Sequence, residues 1–578
     1  MKSLRETRSG ISPLKGPDGN LVEDNRKKAD ILNEQYCSVF TQETYPIPEP
    51  LYTQEPTMPS IIINEDGVKK LLQGVNPQKA CGPDEIPAKV IKECAEELAP
   101  VLTKLFNKSL NTGEIPEDWL KANVAPIYKK GDSTEASNYR PVSLTCICCK
   151  LLEHIIVKQV VNHMEQHNLF VDCQHGFRSR RSCETQLVSF IQDLIDGMIG
   201  GGQTDVILLD FSKAFDKVPH QRLLGKMRRL GINQNTVKWV ENFLTHRTQR
   251  VVLEGMASSS KSVTSGVPQG TVVGPLLFLI FINDMPSYIQ HSQIRLFADD
   301  AVLYKTIKSK EDSTLLQQDL DNLLRWESQW QMSFHPDKCK VMNVTRSRTP
   351  KESIYNIRGQ ALETVTSAPY LGVTIDNKLT WTEHIDKLCK KANRTLGFLK
   401  RNLKTKNQDI KKGAYTSLVR PLLEYSCTVW EPYHDKLINK IEKIQNSAAR
   451  YISNKPLNFH KPDSITEIKK DLKMDDLLTR RKKYKLSLVH KIYSNEVAVQ
   501  VPTHPGTHKP YYENQTRLSR TDQCKRLVEV QAYNEQHRNS FFVQSIVLYN
   551  DLPCSIADAP SIETFKSRLV SYALPKTP

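Results

Sequence analysis

Residues 205–220 read Asp205-Val206-Ile207-Leu208-Leu209-Asp210-Phe211-Ser212-Lys213-Ala214-Phe215-Asp216-Lys217-Val218-Pro219-His220. The run from Val206 to Leu209 is apolar and partly β-branched; it begins shortly after Gly200-Gly201-Gly202 and stops at a carboxylate. Such residues suit a pleated, buried surface and glycines punctuate the chain, so the stretch is expected to be a buried strand ending in an acid. Downstream, Ile294-Arg295-Leu296-Phe297-Ala298 and Ala301-Val302-Leu303-Tyr304 flank Asp299-Asp300. Two short strand-forming runs around a polar pair predict a hairpin with the acids at its tip.

Acids at adjoining strand ends are what two-metal nucleotidyl transfer requires. One ion activates the attacking hydroxyl and the other stabilises the departing pyrophosphate, both through hard oxygen ligands. Mg2+ retains several waters and takes few carboxylates, so two or three aspartates on a rigid backbone suffice. On pattern alone the same acids equally suit helix caps and turns.

The rest of the chain narrows the class. At 578 residues two to four packed units are expected. A formal net charge of +16, spread along the whole sequence, favours a polyanionic partner over a small neutral substrate. Met1-Lys2-Ser3-Leu4-Arg5-Glu6-Thr7-Arg8 has no secretory core, and the longest apolar stretch, Leu276 to Ile282, is too short for a bilayer, so an intracellular protein in nucleus, cytoplasm or both is expected. The cysteines, including Cys146-Ile147-Cys148-Cys149, lack zinc-finger spacing and are read as reduced thiols.

Ala29, Leu32, Tyr36 and Phe40 predict a first helix, followed by an extended Pro-rich stretch through Pro59. Val90, Ile91, Cys94, Leu98, Val101, Leu102 and Leu105 predict a helical face; strands are expected within 125–143 and a helix from Lys150 to about His167. Leu437, Ile441, Ile444, Ala448 and Tyr451 mark a late amphipathic helix. The region from about Asn454 reads as less regular. Its cluster Arg480-Arg481-Lys482-Lys483-Tyr484-Lys485 suits a phosphate backbone, a nuclear address or a solvated helix face.

Three blocks then acquire a joint meaning. Leu209 through His220, Gly266-Val267-Pro268-Gln269-Gly270 and Phe297-Ala298-Asp299-Asp300, in this order, closely resemble the reverse transcriptases of non-LTR retrotransposons, jockey-type elements especially. The resemblance extends through Gly82-Pro83-Asp84, Asn138 to Leu144, Gln174 to Arg178, Tyr370-Leu371-Gly372-Val373 and the segment from Phe541-Phe542 to Leu552-Pro553. It implies an α+β right-hand polymerase: an N-terminal helix and linker over 1–66, fingers over 67–203, an antiparallel-sheet palm over 204–375, a helical thumb over 376–455 and a basic C-terminal region over 456–578.

By that resemblance Asp210, Asp299 and Asp300 are the metal-binding catalytic acids, holding two Mg2+ ions with Mn2+ as a substitute, and Asp299 is the firmer ligand of the hairpin pair. Phe215 matches an aromatic that leaves no room for a 2′-hydroxyl and selects dNTPs; its bland reading is a core ring. Gln269 matches a turn under the incoming nucleotide. Lys129 and Arg140 match basic positions that hold the triphosphate, and Lys338 matches a palm lysine that protonates or neutralises pyrophosphate. Asp216 is expected to be a structural partner at a helix start, and Arg178 to bind template phosphate or brace the fingers.

The implied partners are an RNA template, a DNA primer and dNTPs, with no membrane. Elements of this kind carry an endonuclease upstream; none is read here, so Met1 is expected to be internal to a longer ancestral frame, with a separate endonuclease acting in trans. Lys79-Ala80-Cys81-Gly82-Pro83-Asp84-Glu85 and Thr271-Val272-Val273 depart from the family's usual runs. They leave open a catalytically silent remnant that binds RNA. An RNA-dependent RNA polymerase would need a small or polar residue at Phe215.

Overall fold

The computed structural model describes residues 10–50, 56–454, 464–502, 514–515 and 526–572. They group into two compact units that interleave along the sequence. The first comprises residues up to Phe177, Asp210–Gln290 and Asp319–His335; the second comprises Arg178–Leu209, His291–Gln318 and the chain from Pro336 onward.

In the first unit a five-stranded sheet is built on Lys121–Tyr128, which pairs antiparallel with Tyr139–Leu144 and parallel with Thr248–Leu253. The helix Asn25–Cys37 packs on Thr248–Leu253. Ala29, Leu32 and Tyr36 bury its inner stripe against Val124, Tyr139 and Val251, whereas Phe40 lies beyond the helix end. The following segment is fixed in place. Glu43 accepts from the backbone N–H groups of Gln221 and Arg222 at 3.0 and 2.9 Å, capping a helix that has no side-chain cap of its own.

The expected helical face around residue 90 is rotated. The chain breaks at Cys94, between the helices Ala88–Glu93 and Ala95–Thr112. The buried stripe is therefore Ile91, Ala95, Ala99, Leu102 and Phe106, while Val90 and Val101 are exposed. A non-helical φ/ψ at one residue resets the 3.6-residue phase, and a continuous reading across it assigns the wrong side.

In the second unit the sheet order is Glu363–Thr364, Lys340–Thr345, Gln203–Asp210, Asp300–Thr306, Gln293–Phe297. The central strand is buried along nearly its whole length. Lys340–Thr345 pairs antiparallel with it, and the last two strands form an antiparallel hairpin. One edge departs from the all-antiparallel expectation: Glu363–Thr364 runs parallel to Lys340–Thr345.

The rest of this unit is helical. Leu437, Ile441, Ile444 and Ala448 of Asp435–Ser453 bury one face, with Tyr451 half-buried beside them; each large apolar side chain withdrawn from water contributes about 1.5–3 kcal/mol. Beyond it the described residues include the helices Leu477–Tyr493, Phe541–Asn550 and Ile562–Ser571, with irregular chain at 498–502 and 528–534. The basic cluster on Leu477–Tyr493 is tied inward. Arg480 and Tyr484 bond Glu424, Lys483 pairs with Asp475, and the buried Arg481 and Lys485 flank Glu431 at 3.5 and 2.6 Å.

Cys146, Cys148 and Cys149 are buried thiols; burial pushes Cys146 up to about 12 and Cys148 up to about 11. Cys554 departs from the expectation of reduced cysteines, since it takes part in a disulfide. No described helix is long and apolar enough to cross a membrane.

Candidate active site

Asp210 is the last residue of the strand Gln203–Asp210. The backbone after it is pinned: His335 donates its N–H to the Asp210 carbonyl at 2.8 Å and Ser212 donates to Ser333 at 2.7 Å. Phe211 and Phe334 stack with ring centroids 4.6 Å apart. The Asp210 carboxylate is thus carried on a backbone fixed by hydrogen bonds and ring packing.

Asp299 and Asp300 occupy the expected hairpin. Phe297 faces Asp300 across the ladder, leaving Ala298 and Asp299 as a two-residue turn. Ala298 adopts a positive φ of 51°, as a tight hairpin turn requires. Both acids are exposed at the tip. The strand from Asp300 lies next to Gln203–Asp210, and Ile307 donates its N–H to the Gln203 carbonyl at 2.7 Å while Thr204 and Thr306 hydroxyls meet at 3.4 Å. The start of one strand faces the end of the other, so the two run antiparallel. The Leu209 end and the Asp300 start therefore leave the sheet at the same edge.

These carboxylates are hard oxygen donors of the kind Mg2+ takes. No group of three or more His, Cys, Asp or Glu side chains forms a ready-made metal cage among the described residues. An ion bound partly through waters and substrate phosphates needs none. A cavity of about 970 Å³ lies at the opposite end of the second unit's sheet, lined by Asp196, Gly200, Lys305 and Lys351 among others; no candidate residue lines it.

In the first unit Phe215, Gln269 and Arg140 come together. Val267 donates its N–H to the Phe215 carbonyl at 2.7 Å and Gly266 to Val218 at 2.8 Å, stitching the segment after Asp210 to the Pro268-Gln269-Gly270 loop. Phe215 is only 9% exposed and stacks on Phe278 with centroids 4.6 Å apart. Its ring lines a small cavity with Ser143, Asp216, Arg247 and Gln269. The loop is held by Ser143, which donates to the Gln269 carbonyl at 2.7 Å. Gly270, at φ 108°, lies so close that a Cβ would stand 2.5 Å from the Ser143 carbonyl oxygen.

Arg140 donates from Nε to Gln269 Oε1 at 2.7 Å, and Gln269 donates from Nε2 to Asp216 Oδ1 at 3.1 Å. Burial raises the Asp216 carboxyl above the usual range, against the opposing pull of Lys213, Gln269 and Arg140. The sequence reading missed this link, because nothing local in Asp216 points to a partner 53 residues away. It also missed Glu153. Buried beneath the loop, its carboxylate accepts from Val272 and Val273 N–H at 2.6 and 3.0 Å and caps the helix Val273–Ile282. Burial raises its carboxyl, and those two N–H groups oppose the rise.

Lys129 is exposed just after the strand Lys121–Tyr128 and is not drawn into the Arg140–Gln269–Asp216 chain. Lys338 is exposed in the second unit, just before the strand Lys340–Thr345.

Residues 127–375 match the family model of reverse transcriptase (RNA-dependent DNA polymerase), a span containing all eight candidate residues. The chain is similar to the RNA-directed DNA polymerase from mobile element jockey of Drosophila melanogaster, 28% identical over 81% of this chain and 52% of the relative. It is similar to the corresponding jockey protein of Drosophila funebris, at 27% over 82% and 54%. It is also similar to the probable RNA-directed DNA polymerase from transposon BS of Drosophila melanogaster, at 25% over 79% and 52%. The chain spans about half the length of these curated relatives.

Proposed function

We propose that this chain, which is similar over residues 127–375 to reverse transcriptases and over most of its length to RNA-directed DNA polymerases of mobile elements, copies RNA into DNA by extending a primer 3′-hydroxyl. The observation that carries this reading is the antiparallel pairing of the strands that end at Asp210 and begin at Asp300. It is supported by the hairpin geometry and by the net charge of +16, which suits a nucleic-acid duplex.

On this reading the region 67–203 serves as fingers, 204–375 as palm and 376–455 as thumb. Asp210, Asp299 and Asp300 hold the divalent ions, Mg2+ by preference. When bound, such ions activate the primer hydroxyl and neutralise the departing pyrophosphate. Phe215 presents a wall to the sugar and disfavours a 2′-hydroxyl. Gln269 supports the incoming nucleotide, Arg140 and Lys129 hold its phosphates, and Lys338 neutralises or protonates the leaving pyrophosphate. The partners are an RNA template, a DNA primer and dNTPs.

The test is extension of oligo(dT) on poly(rA) with Mg2+ and dTTP. Template-dependent incorporation supports the reading; binding of RNA without incorporation, with Mg2+ or Mn2+, sinks it in favour of an RNA-binding remnant.

A further inference from the structure

We propose that Asp216 is a positioning residue: by accepting from Gln269 Nε2 it fixes the carboxamide so that Oε1 clamps the Nε edge of Arg140 and turns the guanidinium's terminal amino groups toward an incoming triphosphate. The inference rests on the polymerase reading above and adds to it a residue outside the metal-binding set.

An arginine only donates and an ionised carboxylate only accepts, whereas an amide does both. Gln269 sits between one of each, with Arg140 Nε 2.7 Å from its oxygen and Asp216 Oδ1 3.1 Å from its nitrogen. A single amide orientation satisfies both neighbours; the flipped one sets donor against donor and acceptor against acceptor.

The backbone around the relay is constrained at each node. Gln269 is held through its carbonyl by Ser143 at 2.7 Å, and Ser265 Oγ donates to the Asp216 carbonyl at 2.8 Å. Gly266, at φ 89°, passes so close to Asp216 that a Cβ would stand 2.7 Å from that same oxygen. Arg140 itself is exposed and sits on the strand Tyr139–Leu144. With Nε engaged, its remaining N–H groups form the planar fork that binds phosphate at two points. Without Asp216 the amide rotates, and the guanidinium loses its fixed edge.

The test is a double-mutant cycle in the full chain, measuring retention of dTTP with Mg2+ on poly(rA) paired with oligo(dT) that ends in a dideoxynucleotide. Asp216→Ala is expected to weaken retention about fivefold in the parent, roughly the net worth of one ordinary hydrogen bond, and less than about twofold in an Arg140→Ala background. Asp216→Asn, which keeps an acceptor at the same reach, is expected to stay within about twofold of the parent. Should Asp216→Ala lack a native unfolding transition, Asp216→Ser takes its place, since its shorter side chain also breaks the link. An equal loss in both backgrounds, no loss in either, or an Asp216→Asn defect as large as that of Asp216→Ala overturns the inference while leaving the polymerase reading intact. Failure of the unsubstituted chain to retain dTTP at all overturns both.

Discussion

Ile307 donates its backbone N–H to the Gln203 carbonyl at 2.7 Å, joining the beginning of the strand that ends at Asp210 to the close of the strand that begins at Asp300. That bond sets the direction of the pair. Had the two run parallel, the Leu209 end and the Asp300 start would lie at opposite ends of the sheet.

Phe215 is both a buried ring and the proposed sugar gate. Phe215→Ala is expected to relax the preference for dTTP over UTP by about tenfold or more in single-nucleotide incorporation. Because the ring stacks on Phe278 at 4.6 Å, the same change is expected to cost about 3 kcal/mol of stability in denaturant unfolding. A lost stacking partner with unaltered sugar preference would assign Phe215 to the core alone.

Lys226 and Asp284 form an ion pair 2.6 Å apart with both side chains wholly buried, and Lys226 lies 3.6 Å from the Trp330 ring centroid. Lys226→Met strands the Asp284 charge and is expected to cost about 3–5 kcal/mol, whereas the double replacement Lys226→Met, Asp284→Leu recovers most of it. Desolvation brings the Lys226 ammonium down from 10.5 to about 8 despite the attraction of Asp284. Between those values the unfolded chain binds more protons, so this group's contribution rises with pH from about 8 to 10.5 and is lost as pH falls through 8. The unfolding midpoint of the parent relative to Lys226→Met, followed across that range, checks the sign.

Gly270 is held at φ 108° against the Ser143 carbonyl oxygen. Gly270→Ala is expected to cost about 1–3 kcal/mol of stability, or to move the loop away from Ser143 and weaken nucleotide retention. A variant with parental stability and nucleotide retention would show that the close approach is dispensable.

The basic run 480–485 is expected to act on folding, not on RNA. Arg481 and Lys485 are each 1% exposed and converge on Glu431, so Lys485→Ala should destabilise by about 3 kcal/mol by removing the nearer of the two cations that balance this buried carboxylate. The salt dependence of RNA binding by the folded variant should match the parent; a slope reduced by about one would reveal a phosphate contact.

Legibility in the sequence followed the range of the interactions. The strand ending at Asp210 and the Ala298-Asp299 turn are set by neighbours within a few residues, and a continuous apolar run and turn chemistry reveal them. The late helix carrying Leu437 and Ile441 is periodic without interruption and is equally plain. The helical face near Ile91 was not, because the break at Cys94 shifts its phase without a glycine or proline to mark the spot. Arg481 and Lys485 read as surface charges because their neutralising partner, Glu431, lies about fifty residues earlier, just past the helix Cys427–Trp430. Asp216 looked like a helix-start acid until Gln269 stood beside it.

Asp299 and Asp300 carry the central claim, and extension of oligo(dT) on poly(rA) tests it most directly, comparing the parent with Asp299→Ala, Asp300→Ala. The account predicts Mg2+-dependent DNA synthesis that falls by at least about a thousandfold in the double variant while RNA binding is retained. Synthesis that persists without the two carboxylates, or none from the parent with either Mg2+ or Mn2+, would contradict it.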